Sequence, residues 1–407
     1  MQSFSFTLAG ERGKARAGTI QTPHGEVQTP MFMPVGTQAS VKALVASDLE
    51  TLGAEIILAN TYHLWLRPGM EVLQQAGGIH NFMRWNKPML TDSGGFQVWS
   101  LGQGEQGSLV KIDDNGVSFR SHLDGSARYL SPELAIEIQS QIGADIIMCF
   151  DEAMPDAMDV ASARTSLKRT HDWASRCVAQ WESQDRQSVY GQYQALFGIV
   201  QGALHRDLRQ ESARYMAGLP VDGLAVGGET IGYNMPGTVE VMSWIEDILP
   251  KNKPRYAMGL GREPQDIISA TLAGFDMFDC VGPTRLARNG SVYEGRVVIE
   301  NGEPTFSSTY AKGRLSIERS EFAQDNQVLS PGCGCATCSA GYTRSYLHHL
   351  YKAKELSYYR LASVHNLWTM IMIAKNLRSW ILTGSLAKKK KKKRSRACHV
   401  ARSSSTS

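Results

Sequence analysis

Nowhere does the chain hold an apolar run approaching the roughly 18 residues that a bilayer-crossing helix requires, and the first residues, Met1 to Gly10, lack the apolar core of a secretory leader. The expectation is a cytoplasmic protein. Cysteine is scarce as well: there are seven in 407 residues, and three of them, Cys333, Cys335 and Cys338, fall within six positions. Without a secretion signal a disulfide framework is not expected, and such clustering favours a metal. Net charge is small, +4, and even that belongs to the end of the chain. Lys388 to Ser407 holds nine of the 43 basic residues and no acidic one, so residues 1–387 carry 34 basic side chains against 39 acidic ones. Any nucleic-acid surface is then a local patch and not a global bias. No internal repeat is evident.

What is present is ample material for a core, with 42% hydrophobic and 20% charged residues. Short apolar, β-branched runs recur: Glu55–Asn60, Pro88–Gly95, Ala144–Asp151, Leu196–Gly202, Gly223–Gly228, Arg255–Gly261 and Phe275–Val281. Continuous runs of this kind suit strands buried on both faces, as in a parallel sheet. Between them lie stretches with helix signals, such as Ser131–Ile142, where a Ser cap precedes Pro132 and Glu133, then Ala161–Glu182, His205–Ala217 and Pro264–Ala273. An open doubly wound sheet and a closed (β/α)8 barrel both fit this alternation. Polar or glycine-rich residues end nearly every strand-like run, which favours the barrel, because its active site draws on several strand ends at one face. Thr19–Pro34 reads as a β-hairpin with its turn at Pro23, His24 and Gly25. The alternation stops near Glu300. The expected division is a catalytic barrel over residues 1–300, a zinc-binding subdomain with C-terminal helices over 301–386, and an unstructured basic tail over 387–407.

Three thiolates in Cys333-x-Cys335-x2-Cys338 sit on a turn that Pro331, Gly332 and Gly334 allow to fold sharply, and they call for a fourth ligand to close a tetrahedral, structural zinc site. His348, His349 and His365 are the candidates downstream. Carboxylates follow several strand-like runs: Asp92 after Leu90-Thr91, Asp151 and Glu152 after Met148-Cys-Phe150, and Asp279 after Met277-Phe278. At the catalytic face of a barrel they converge, and two close carboxylates can divide into a nucleophile and an acid/base. The plainer reading makes Asp92 and Asp151 helix caps. Glycine pairs at Ser93-Gly94-Gly95, Val226-Gly227-Gly228 and Gly259-Leu260-Gly261 let backbone N–H groups approach a planar base or a phosphate. Phe96 and Met258 lie beside them, suited to sandwiching a base or to plain core packing.

Taken in order, Thr91-Asp-Ser-Gly-Gly95, Gly198-Ile-Val-Gln-Gly202, Ala225-Val-Gly-Gly228, Phe278-Asp-Cys280 with Pro283-Thr-Arg285, the three cysteines and Val364-His-Asn366 resemble the tRNA-guanine transglycosylase (queuine tRNA-ribosyltransferase) family, bacterial type, over roughly residues 4–386. The resemblance implies a (β/α)8 barrel with a zinc subdomain, working as a homodimer on the anticodon loop of tRNA. It implies exchange of the wobble guanine of GU(N)-anticodon tRNAs for 7-aminomethyl-7-deazaguanine. By it Asp279 is the nucleophile on ribose C1′ and Asp92 the acid/base; Ser93, Phe96, Asp151, Gln201, Gly228 and Met258 line the base pocket; Arg285 and Arg288 read the anticodon loop; His365 is the fourth zinc ligand. The loop after Gly228 departs from the familiar bacterial Leu-Ser/Ala-Val-Gly-Glu. Here it runs Glu229-Thr-Ile-Gly-Tyr233, so Tyr233 replaces the acid and Glu229 introduces one four positions earlier. Glu229 is therefore expected to meet the ammonium of the incoming base, and queuine stands as the alternative substrate. Two other readings are weaker: a non-catalytic tRNA-binding partner subunit, which needs neither Asp279 nor Asp92, and a barrel enzyme for a phosphorylated metabolite, which leaves the cysteines unexplained.

Overall fold

The computed structural model describes residues 4–101 and 110–387. The run Lys388–Lys393 and everything after it, the basic tail of the sequence analysis, lie outside the described residues.

Eight parallel strands form the central sheet in chain order: Met31–Pro34, Ile57–Ala59, Met89–Thr91, Ile146–Met148, Ala195–Val200, Gly223–Val226, Arg255–Ala257 and Met277–Cys280. The last pairs with the first, and a bridge between Val35 and Leu58 with Gly36 N–H donating to Leu58 O at 2.6 Å closes the remaining seam. The sheet is thus a closed (β/α)8 barrel. Seven of its strands match the apolar runs picked out in sequence. The first strand does not: the turn signals extend the hairpin to Pro34, but it ends at Thr29, and Met31–Pro34 runs in the barrel wall beside Met277–Cys280. Nothing local distinguishes a hairpin strand from a wall strand, because the difference lies in a partner some 250 residues away.

Period-two alternation sorts the strand residues into two cores. Leu58, Leu90, Ile146, Met148, Phe197, Ile199, Ala225, Tyr256 and Met277 point inward. Ile57, Met89, Ile147, Leu196, Leu224, Val226, Ala257 and Phe278 point outward beneath the helices. Ile20 and Val27 join the inward cluster, so the N-terminal antiparallel sheet of Ser5–Arg12, Ala15–Thr22 and Gly25–Thr29 floors the barrel. Helices form where caps and spacing predict. Pro132–Ile142 begins with Ser131 Oγ accepting from Leu134 N–H at 3.2 Å and ends at left-handed Gly143.

After the last barrel strand come the helix Gly282–Arg288, small antiparallel pairs (Ser291–Tyr293 with Arg314–Ser316, Arg296–Glu300 with Glu303–Ser307), the cysteine turn and the helix Arg344–Lys352. The chain then returns as a 28-residue helix, Leu356–Thr383, which lies against the outside of the barrel. Its Lys375 donates to Gly53 O at 3.1 Å and its Arg378 to Thr29 O at 2.7 Å.

Candidate active site and metal centre

Every carboxylate expected at the site stands at or just past the C-terminal end of a barrel strand, which brings them to one rim. Asp279 is the penultimate residue of the last strand. Its Oδ1 accepts from Tyr256 O–H at 2.5 Å and from Gly259 N–H at 2.7 Å, both donors belonging to the neighbouring strand and its loop. Its Oδ2 has no hydrogen-bond partner within the described residues. Burial pushes the Asp279 carboxyl above its ordinary value, while the two donors act in the opposite direction. One oxygen held and the other free fixes the orientation of a carboxylate and leaves lone pairs available for another partner.

Asp92 follows the strand Met89–Thr91. Its oxygens accept from Thr61 N–H at 2.9 Å and from the Asn60 amide, groups that follow the adjacent strand. It caps no helix of its own. Burial, and to a lesser degree the Asp279 charge, raises its carboxyl to about 6 against these donors, so the two acids share one electrostatic field. A group titrating near 6 can give and take a proton near neutral pH.

Asp151, also raised to about 6 mainly by burial, accepts from Gln201 Nε2 at 2.7 Å and from Ser93 Oγ at 3.4 Å. Gln201 is buried and its Oε1 lacks a partner. The glycine pair explains how Gln201 fits. A Cβ on Gly227 would sit 2.8 Å from Gln201 Nε2 and 3.4 Å from Met258 Sδ, and Gly228 has φ +111°, which side-chain-bearing residues rarely adopt. Met258 is half-buried beside this pair, and Phe96, 47% exposed, stands at the mouth on the helix after Asp92. Together these groups offer free acceptors, a free carboxylate oxygen and flanking apolar side chains, a lining suited to a flat, polar-edged ring.

Glu229 stands at the rim with one of its oxygens already engaged. It is exposed, and its Oε2 accepts from Asp156 N–H at 2.9 Å, tying two rim loops together. Tyr233 is 73% exposed. Arg285 and Arg288 lie on the helix Gly282–Arg288, directly after the Asp279 strand; Arg285 is exposed, and Arg288 is half-buried with its Nη1 unpartnered. Tyr256, Asn60 and Thr61 escaped the sequence reading. A signal existed for Tyr256, since it lies in a strand-like run two residues before Met258 and so faces the same way.

The metal centre is assembled from two distant segments. His365 Nδ1 lies 3.7, 3.4 and 3.4 Å from the sulfurs of Cys333, Cys335 and Cys338. Tetrahedral ligands at usual zinc–sulfur and zinc–nitrogen distances stand about 3.6 Å apart, so the spacing fits a four-coordinate ion. His365 Nε2–H donates to Tyr293 O at 2.7 Å, which leaves the Nδ1 lone pair facing the sulfurs. His348 is engaged elsewhere, with Nδ1 2.8 Å from Ile317 O. These four residues can hold a metal ion.

Comparison with known proteins agrees with this architecture. A family model described as queuine tRNA-ribosyltransferase matches residues 11–398, past the Leu386 at which the resemblance was placed from motifs. The chain is 44% identical to the queuine tRNA-ribosyltransferase of Halothermothrix orenii, over 94% of this chain and 95% of that one. It is 44% identical to the one from Herpetosiphon aurantiacus, over 94% and 90%, and 45% identical to the one from Caldanaerobacter subterraneus, over 91% of each.

Proposed function

The chain belongs to the queuine tRNA-ribosyltransferase family, a family of tRNA-guanine transglycosylases, and on that premise we propose that it replaces the wobble guanine of GU(N)-anticodon tRNAs by 7-aminomethyl-7-deazaguanine through a covalent aspartyl-ribose intermediate. The free Oδ2 of Asp279, its partner oxygen held by Tyr256 and Gly259, is the observation that carries this reading. In the first displacement Oδ2 attacks ribose C1′, the C1′–N9 bond breaks, and guanine leaves with a proton supplied by Asp92. In the second, Asp92 takes the N9 proton of the incoming base, N9 attacks C1′, and the bond to Asp279 breaks. Two inversions restore the β configuration. The raised carboxyl of Asp92 suits both proton transfers.

The target nucleotide has to leave its stack to reach a pocket at a barrel rim. Arg285 and Arg288, beside the Asp279 strand, are assigned to the anticodon loop, where unpaired bases and phosphates are readable. The Cys333, Cys335, Cys338 and His365 ligands are assigned to one structural zinc, supported by three soft sulfurs at tetrahedral spacing. When bound, it cross-links the cysteine turn to the returning helix. A homodimer, a cytoplasmic location and the division of the chain at residue 300 belong to the same proposal; no described helix is long and apolar enough to cross a membrane.

Asp279→Asn tests it. The amide keeps the shape and loses the nucleophile, so incorporation of labelled guanine into tRNA should fall by several orders of magnitude while tRNA binding persists. Denaturing gels should show a tRNA-linked band for the native enzyme and none for the variant. Exchange above about one percent of wild type would exclude Asp279 as the nucleophile.

A further inference from the structure

Beneath the loops bearing Gln201 and Gly228 lies a charge that the proposed exchange does not use. Arg209, on the helix Arg206–Gly218, is fully buried. It forms no ion pair with a described carboxylate and serves backbone carbonyls instead: Nε donates to Ala203 O at 2.8 Å, and Nη1 to Val200 O at 2.9 Å and to Gly227 O at 2.8 Å. Nη2 is buried without a partner and would lie 2.8 Å from a Cβ on Gly228. Burial lowers its pKa only to about 10, with the Asp156 charge acting the other way, so the guanidinium stays charged at neutral pH. A buried cation without a counter-carboxylate is costly, and the three carbonyls it holds flank the residues of the base pocket.

The consequence follows from peptide geometry. In a trans peptide the carbonyl and the next N–H point in opposite directions. Holding Gly227 O on Arg209 therefore turns Gly228 N–H away from the guanidinium, and that N–H donates to no described acceptor. A cation on the carbonyl also polarises the peptide and strengthens its N–H as a donor. Gln201 Oε1, the unpartnered acceptor, lies 3.3 Å from the same Cβ position on Gly228. A free donor and a free acceptor thus stand side by side.

We propose that Arg209 is a positioning residue that fixes and polarises the Gly227–Gly228 peptide, so that Gly228 N–H is presented to an acceptor on the bound base, the ring carbonyl of guanine. Arg209 itself touches no substrate. This rests on the base-exchange reading, and wild-type incorporation of labelled guanine is the first measurement, because its absence would sink that reading without testing Arg209. Arg209→Lys keeps the charge but cannot bridge three carbonyls. It should weaken guanine about tenfold, measured by competition against labelled guanine, and leave 2-aminopurine, which lacks the ring carbonyl, within about twofold, with tRNA affinity unchanged. Equal losses for both bases mean that Arg209 only packs the loop, and no loss for either overturns the proposal as well. A second measurement on the unsubstituted protein does not depend on the variant folding. With glycine-selective ¹⁵N labelling, the Gly228 amide should shift and gain exchange protection on adding guanine and not 2-aminopurine, and an amide indifferent to guanine overturns the proposal.

Discussion

Glu229 shows how a single side chain can be right in charge and ambiguous in direction. Its Oε2 is spent on the Asp156 amide at 2.9 Å, and Asp156 in turn accepts from Thr230 O–H. Any contact with an ammonium on the incoming base therefore falls to the second carboxylate oxygen. Glu229→Gln separates the two roles, because the amide oxygen still accepts from Asp156 N–H while the charge is gone. If Glu229 meets the ammonium, the KM for 7-aminomethyl-7-deazaguanine should rise about tenfold, the value of one charge-assisted hydrogen bond, with guanine nearly unchanged. Parallel steady-state measurements with guanine, the aminomethyl base and queuine decide it: equal changes across all three assign Glu229 to the loop tie alone.

At the scale of elements, the helix Leu356–Thr383 does two jobs with neighbouring residues. His365 turns to the cysteines, while Asn366 accepts from Tyr293 N–H at 2.9 Å and donates to Pro283 O at 3.0 Å and Ser291 O at 3.1 Å. Further along, Arg378 donates to Thr29 O at the end of the N-terminal sheet, just before the first barrel strand, and Lys375 to the Gly53 corner. Metal binding to the cysteine turn is thereby coupled to how that helix seats on the barrel. A structural ion contributes its binding energy to folding. His365→Ala and Cys335→Ser should accordingly drop zinc from about one equivalent to under about half and lower the melting temperature. His348→Ala and His349→Ala should retain the ion. Elemental analysis of the four proteins checks this, and a His365 variant with full zinc would remove His365 from the site.

On the scale of the whole molecule, the N-terminal sheet is held under the barrel at one buried acid. Asp145 immediately precedes the strand Ile146–Met148 at the end opposite the rim that carries Asp92 and Asp279. Its Oδ1 accepts from His24 N–H at 3.1 Å and faces His24 Nδ1 at 2.8 Å, and its Oδ2 accepts from Met89 N–H at 2.9 Å and faces His80 Nε2 at 3.3 Å. The two imidazoles stack with centroids 3.6 Å apart. Burial alone would push the Asp145 carboxyl up, but the His24 hydrogen bond and the adjacent His80 imidazole outweigh it and hold the group at about 2. A depressed folded-state pKa means stability that is fully present above the ordinary carboxylate value of 3.8 and lost as pH falls toward about 2. Asp145→Asn should cost about 3 kcal/mol at pH 7, and the gap from wild type should shrink on acidification below pH 4. Urea unfolding of both proteins at pH 7 and pH 3 measures it; comparing the pair cancels the carboxyls raised by burial, Asp92 and Asp151 among them. A gap that does not narrow would show that Asp145 acts by packing and not by charge.

The sequence by itself determined what depends on neighbours along the chain. Seven strand positions, the helix caps, the cysteine turn and the placing of acids at strand ends are local patterns, written in period-two burial, Ser and Gly caps, and glycine-permitted turns. Tertiary structure decided what depends on pairing across long separations. Met31–Pro34 became a barrel strand because Met277–Cys280 needed a neighbour to close the sheet, and His365, which the residue spacing alone did not separate from His348 and His349, meets the sulfurs because the returning helix passes the cysteine turn while the other two rings sit on the preceding helix. The held oxygen of Asp279, the donors on Asp92 and the burial of Arg209 under Gly227 and Gly228 are likewise set by adjacent strands and a helix beneath them. Hydrogen-bond partners act over a few ångströms of space regardless of chain separation, so residue type announces what chemistry a group can do, and only the closed barrel settles which groups meet.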